Sequence, residues 1–277
     1  MKVERDAFAK INLTLEVGDK RRDGYHSLTS VMARITLADR VTVEENSVGS
    51  VRFYTDTPGI DKEDNLCIRM ANAYFKARGM SGQGVDITLV TNIPIASGMG
   101  GGSADCASVL ECMEELYGGL EDGVRQSIAR SLGADVPYCL KKKPCLCTGI
   151  GDECQPIDCA SLDGLWLTVS KVGEKLSTGK VYSDFDALHK DNTEYNHNAV
   201  VKALEKGDIY ALAHGVFNDF ERVVLPASPE VARERDRLLS LGALRVVMSG
   251  AGPTLVAFFD DEERARQCSK EAYKIMQ

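Results

Sequence analysis

Leu66, Met70, Ala73 and Ala77 recur at the three-to-four-residue interval that lines one face of a helix, and the run stops at Gly79. Cys106, Leu110, Met113 and Tyr117 repeat that pattern and stop at Gly118-Gly119. Strand-like apolar runs, Ala7 to Val17, Arg34 to Glu44 and Val85 to Val90, alternate with these helices. Further along, the pattern predicts a strand around Leu165 to Val169 and helices over Ala199 to Lys206 and Pro229 to Leu241. Two strands, Leu244 to Met248 and Thr254 to Phe259, flank Gly250-Ala251-Gly252-Pro253 and close the chain. The mixture is that of an α/β or α+β protein. Turn chemistry in the neighbourhood of Gly149-Ile150-Gly151-Asp152 and Pro156 offers the best boundary, giving domains of residues 1–155 and 156–277.

Composition narrows the class. The chain has 277 residues, 44% hydrophobic and 27% charged, enough for two ordinary domains with full cores. No run approaches the ~18 apolar residues of a membrane span, so no membrane partner is expected. Thirty-three basic against 41 acidic side chains leave a charge of −8, a field that repels nucleic acid, and Lys141-Lys142-Lys143 is too small a patch to reverse it. The opening Met1-Lys2-Val3-Glu4-Arg5-Asp6 reads as neither secretory nor transit peptide, and a cytoplasmic protein is expected. Nine cysteines, an odd count without an export signal, fit free thiols. Cys139, Cys145, Cys147, Cys154 and Cys159 follow at spacings of 6, 2, 7 and 5, with no C-x2-C knuckle, so they read as small buried hydrophobes rather than zinc ligands.

The sharpest chemical signal is Pro94-Ile95-Ala96-Ser97-Gly98-Met99-Gly100-Gly101-Gly102-Ser103-Ala104, between the strand ending at Val90 and a helix expected to open near Ser103. Its glycines remove the Cβ atoms that keep a ligand from the main chain, so N–H groups can converge on phosphate oxygens in front of a helix N-terminus. The segment lacks the Gly-Lys-Ser/Thr ending of a P-loop and the third glycine of a dinucleotide fingerprint. A tight connection or an anion loop of a third kind remains.

Two further blocks accompany this loop: Ala9-Lys10-Ile11-Asn12-Leu13-Thr14-Leu15 with Arg22-Asp23-Gly24-Tyr25-His26-Ser27-Leu28, and Met248-Ser249-Gly250-Ala251-Gly252-Pro253-Thr254. Gly133-Ala134-Asp135-Val136-Pro137 and Asn218-Asp219-Phe220-Glu221 fall between them. In this order the five resemble the kinase superfamily named for galactokinase, homoserine kinase, mevalonate kinase and phosphomevalonate kinase, the GHMP kinases. The first block is most similar to the branch whose acceptor is a cytidine diphosphate conjugate of methylerythritol, in non-mevalonate isoprenoid biosynthesis. The resemblance implies an α+β, two-domain fold: an N-terminal ATP-binding domain, a C-terminal α/β sandwich domain, and an active site in the cleft between them. It also implies ATP, magnesium, and transfer of the γ-phosphoryl group to the acceptor's tertiary 2-hydroxyl. Ala251 stands where many members carry serine, and the arginine often found just before the position of Gly149 is missing.

Residue by residue, the resemblance makes Lys10 and Asp135 the catalytic pair and Pro94 to Ala104 the ATP-phosphate loop. Taken alone, Lys10 reads as a solvent-facing strand lysine and Asp135 as a helix cap or turn aspartate. Asn12, two positions after Lys10, shares its face of an extended strand. By resemblance Asn12 and His26 lie in the substrate site, Tyr25 and Tyr182 sandwich the cytosine ring, and Thr178 belongs to the same segment. Read alone, His26 is a loop histidine beside the Asp23-Gly24 turn, and Tyr182 a half-buried core residue. Asp105 suits a helix start but would repel phosphate, and is expected to point away from the loop.

Overall fold

The computed structural model describes residues 1–174, 176–188 and 195–277. The chain opens with strands β1 (Lys2–Asn12), β2 (Thr14–Lys20), β3 (His26–Asn46) and β4 (Arg52–Tyr54). Helix α1 (Leu66–Ala77), strand β5 (Gly84–Val90) and helices α2 (Gly101–Tyr117), α3 (Asp122–Leu132) and α4 (Val136–Cys139) follow. Next come β6 (Cys145–Thr148), β7 (Glu153–Pro156), β8 (Trp166–Lys171), α5 (Thr178–Asp186), α6 (His197–Lys206) and α7 (Ile209–Gly215). The last elements are β9 (Phe217–Asn218), α8 (Glu221–Ala227), α9 (Pro229–Ser240), β10 (Arg245–Met248), β11 (Thr254–Phe259) and α10 (Glu262–Cys268). Among the described residues no helix is long and apolar enough to cross a membrane.

Two compact units are interleaved along the chain. Met1–Ala9, Leu37–Pro94 and Gly100–Leu140 form the first; Lys10–Thr36, Ile95–Met99 and Lys141–Gln277 form the second. Residues 1–155 therefore contribute to both.

In the first unit the C-terminal part of β3 pairs antiparallel with β5, Arg40 opposite Val90 through Asn46 opposite Gly84, and β5 pairs parallel with β4. The Asn65 side chain caps α1 by accepting from the N–H groups of Cys67 and Ile68. Helix α1 buries Cys67, Met70, Ala71, Tyr74 and Phe75, a face rotated from the predicted one, because the two aromatics supply more apolar area than Ala73 and Ala77. Helix α2 is buried almost all round from Ala104 to Leu110, so its apolar stripe is only part of its contact surface.

In the second unit β11, buried at every position, pairs antiparallel with β10 on one side and β8 on the other. Val181, Phe220, Val231, Leu238 and Ala265 join Leu255, Ala257 and Phe259 in its core. Strand β2 pairs antiparallel with β3 and parallel with β9. Thr14 Oγ1 accepts the Val31 N–H at 2.8 Å and lies 2.8 Å from His197 Nδ1, while the Glu16 carboxylate, an acceptor only, takes the hydrogen bond of His197 Nε2 at 2.7 Å. Strands β6 and β7 form a hairpin, Cys147 opposite Cys154, and β6 pairs with β3. The Gly149–Asp152 segment, expected as a boundary, is this hairpin's turn: glycine turn chemistry serves a hairpin and a linker alike.

Candidate active site

The end of β1 is buried, and Lys10 is only 4% exposed. Its surface-lysine reading fails: as the two-residue spacing requires, Lys10 Nζ reaches Asn12 Oδ1 and donates to it at 2.9 Å. The same oxygen accepts the Gly250 N–H at 3.0 Å. Ser30 Oγ donates its one hydrogen to the Thr14 carbonyl at 2.6 Å, so towards Asn12 it can only accept, and Asn12 Nδ2 donates to it at 2.8 Å. That chain fixes which way the Asn12 amide faces. An ammonium out of water is costly without hydrogen-bond acceptors, and the oriented amide oxygen supplies one.

The turn between β10 and β11 is held from the β9–α8 segment. Asn218 Nδ2 donates to the carbonyls of Met248 and Gly250 at 2.7 and 2.8 Å, and Glu221 Oε1 accepts the Met248 N–H at 2.7 Å. Asp219 Oδ2 accepts the Val17 N–H at 2.8 Å. Burial pushes both the Asp219 and Glu221 carboxyls up from their ordinary values. The Asn218-Asp219-Phe220-Glu221 stretch is thus a frame for the glycine turn.

Against this turn, within the second unit, lies Ile95–Met99. The Met99 carbonyl accepts the Lys10 N–H at 2.9 Å, the Gly98 carbonyl accepts from Ser249 Oγ at 3.3 Å, and the Ile95 carbonyl accepts from Lys171 Nζ at 2.5 Å. Carbonyl oxygens that would repel a phosphate are spent on the chain itself, as an anion loop requires. In the first unit α2 opens at Gly101, two residues earlier than expected, because Gly100 at φ +68° supplies the left-handed entry. No side chain caps this helix, so its first-turn amides keep their donors for a ligand.

Gly98 has φ +79°, and a Cβ there would overlap the Ser249 carbonyl oxygen. Gly98→Ala is therefore expected to cost at least about 1–3 kcal/mol of stability and, if the loop holds nucleotide phosphates as its resemblance implies, to weaken nucleotide binding. Urea unfolding beside nucleotide titration measures both; an unchanged midpoint with unchanged affinity would show that the loop tolerates a side chain.

Asp135, in the first unit, occupies the N-cap position of α4, yet its side chain makes no capping hydrogen bond. The carboxylate is not committed to the helix start, which Pro137 already favours through its fixed φ.

The nucleobase candidates lie in the second unit. His26, 6% exposed, places Nε2 at 2.7 Å from Asp186 Oδ1. Its ring stacks on Tyr182 at 4.9 Å and 22°, and Tyr182 meets Phe220 edge-on at 4.9 Å. Tyr25, in the turn between β2 and β3, is 61% exposed, and exposed Thr178 opens α5 one turn before Tyr182. His26 thus already stacks on one face of the Tyr182 ring. Asp186, Ser30 and the architectural role of Asn218 were beyond sequence reasoning.

All nine cysteines are free thiols; six are buried, while Cys154, Cys159 and Cys268 are half-buried. Cys147 and Cys154 lie with their sulfurs 3.4 Å apart. Among the described residues no three of His, Cys, Asp or Glu are grouped to hold a metal ion.

Residues 65–143 match the N-terminal domain family of GHMP kinases, and residues 200–275 the GHMP kinase C-terminal family. The 4-diphosphocytidyl-2-C-methyl-D-erythritol kinase of Symbiobacterium thermophilum is 38% identical over 282 residues, covering 99% of each chain. The chain belongs to that kinase family. A crystal structure of a 4-(cytidine 5'-diphospho)-2C-methyl-D-erythritol kinase superposes with a TM-score of 0.84 and 30% identity, covering 99% of this chain and 100% of that one. The fold extends to homoserine kinase from Cytophaga hutchinsonii, with a TM-score of 0.73 and 16% identity, covering 100% of this chain and 94% of that one. Membership of this GHMP kinase family makes the chain an ATP-dependent kinase of the α+β, GHMP fold.

Proposed function

We propose that this chain transfers the γ-phosphoryl group of ATP to the 2-hydroxyl of 4-diphosphocytidyl-2-C-methyl-D-erythritol, in the cytoplasm, with Lys10 and Asp135 as its catalytic residues. Phosphoryl transfer asks little covalent chemistry of the protein: it needs the hydroxyl positioned, its proton accepted, and the phosphoryl charge steadied. Asp135 takes the first two tasks, and the Lys10 ammonium the third. The Pro94 to Ala104 loop holds the ATP phosphates through main-chain amides. Asn12, His26 and Thr178 contact the acceptor, and Tyr25 and Tyr182 stack on its cytosine. For magnesium, no three His, Cys, Asp or Glu side chains are grouped among the described residues. A hard cation that keeps several waters would come with the nucleotide phosphates and ask few ligands of the protein.

The observation that carries this reading is the buried Lys10 ammonium, aimed by Asn12 on the strand whose Lys10 N–H also holds the glycine-rich loop. Purified protein with magnesium and ATP is expected to form ADP when given the cytidylyl acceptor and none when given homoserine or mevalonate. The reverse selectivity would reassign the acceptor. Tyr25→Ala removes an exposed stacking face, worth about 1–3 kcal/mol, and is expected to raise the acceptor's KM by roughly 5- to 150-fold with KM for ATP unchanged. Equal effects on both substrates would place Tyr25 outside the base site.

A further inference from the structure

Asp39 and Asp105 are two carboxyl groups buried together inside the first unit, 1% and 5% exposed. Asp39 lies on β3, and its Oδ1 accepts the N–H groups of Asn92 and Ile93 at 2.5 and 2.7 Å, immediately before Pro94. Asp105 lies in the second turn of α2, immediately after the loop and one helical turn beyond Gly101, and its carboxyl is an electrostatic neighbour of the Asp39 carboxyl. A Cβ on Gly101 would meet Ile93 Cγ2 at 3.3 Å and Asp39 Oδ2 at 3.7 Å, so these three segments are in close contact. If both groups were carboxylates, Asp39 Oδ2 and Asp105 Oδ1 would be buried with no donor for either. One shared proton resolves both deficits.

Its location follows from the surroundings. Burial, then the neighbouring Asp39 charge, holds the Asp105 carboxyl well above the ordinary aspartate range. Burial also raises Asp39, but the two backbone N–H bonds oppose it. The titratable groups facing the pair are the thiols of Cys67 on α1 and Cys106 on α2. Burial raises both, Cys106 to about 12, so neither brings charge near neutral pH, and Arg69 acts on Cys106 from α1.

We infer that Asp105 is a protonated positioning residue: it donates to Asp39, and this bond clamps the two flanks of the glycine-rich loop, Asn92-Ile93 and the start of α2, at the separation that ATP phosphates require. The inference rests on reading that loop as the ATP site, so binding is measured with ATP alone, by calorimetry, with no acceptor present. A wrong acceptor would surface in the acceptor panel and leave these measurements unchanged.

Asp105→Asn keeps a donor for Asp39, and its ATP dissociation constant is expected to stay within about twofold of wild type. Asp105→Ala leaves a buried carboxylate oxygen without a donor, and is expected to weaken ATP binding at least about tenfold with the acceptor's KM unchanged. The pH dependence separates the protonated acid from mere packing. A carboxyl whose proton is held more tightly in the folded state releases it on unfolding, so wild-type stability falls as pH rises from the ordinary aspartate value towards the raised one. Asp105→Asn has no such loss, and its thermal midpoint should gain on wild type steadily as pH rises. Wild-type affinity in Asp105→Ala, equal weakening in both variants, or a midpoint difference independent of pH would each overturn the proposal. Should Asp105→Ala fail to fold, the pH series of Asp105→Asn against wild type decides alone.

Discussion

Asp135→Asn is expected to lower kcat by roughly 10²–10⁴-fold while ATP affinity stays within a few-fold, the range for loss of a positioned proton acceptor. The amide matches the carboxylate in size and can still accept a hydrogen bond from the acceptor hydroxyl, but it cannot take the proton. The start of α4 does not depend on the side chain: it makes no capping bond, and the first turn of that helix is kept by Pro137 and by the Val136 N–H bond to the Gly133 carbonyl at 3.2 Å. Thermal melting and calorimetry with ATP establish that fold and nucleotide binding survive; steady-state turnover then reads the chemistry. A drop of only about tenfold would say that Asp135 orients the hydroxyl and that proton removal lags behind bond breaking, as a loose phosphoryl-transfer transition state permits. An unchanged kcat would remove Asp135 from the reaction.

Long periodic elements were legible in the sequence: α1, β5 and β11 lie where the apolar pattern puts them. What the pattern could not tell was which way a helix turns. The run Leu66, Met70, Ala73, Ala77 found α1 but not its face, because Tyr74 and Phe75 take the core and the period alone does not weigh side-chain area. The short strands β4, β6, β7 and β9 carry too few residues for alternation to show, and Gly149 and Gly151 signal a turn without saying what it joins.

The candidate site divides in the same way. Lys10 and Asn12 were readable as neighbours because strand geometry alone puts i and i+2 together. Ser30, Asp186 and Asp39 were not, since each works through a partner 18, 160 or 53 positions away. A polar residue in a strand looks the same in sequence whether it faces water or closes a buried network; only the tertiary fold decides. Asp105 is expected to turn from the loop, and the buried carboxyl of Asp39, the neighbour that acts on it, lies 66 positions away in sequence, where no local spacing reveals it.

Lys10→Met is expected to lower kcat by roughly 10²–10³-fold, the effect of losing one group that stabilises transition-state charge, with folding stability held or slightly raised. Methionine has nearly the length and bulk of lysine, and Lys10 is buried, so the exchange removes a buried charge without opening a large cavity. Asn12 Oδ1 keeps the Gly250 N–H, and the Lys10 N–H bond to the Met99 carbonyl is main chain and survives. A structural lysine would behave in the opposite way, losing stability while the enzyme that still folded kept its turnover. Combining Lys10→Met with Asp135→Asn tests whether the two act on one event. If each serves the same transferring group, the double variant should be little slower than the slower single variant, because the second loss falls on a step already without its catalytic pair. Strictly multiplicative losses would mean two independent contributions, and Lys10 would then be steadying charge on a part of the nucleotide that the acceptor hydroxyl never meets.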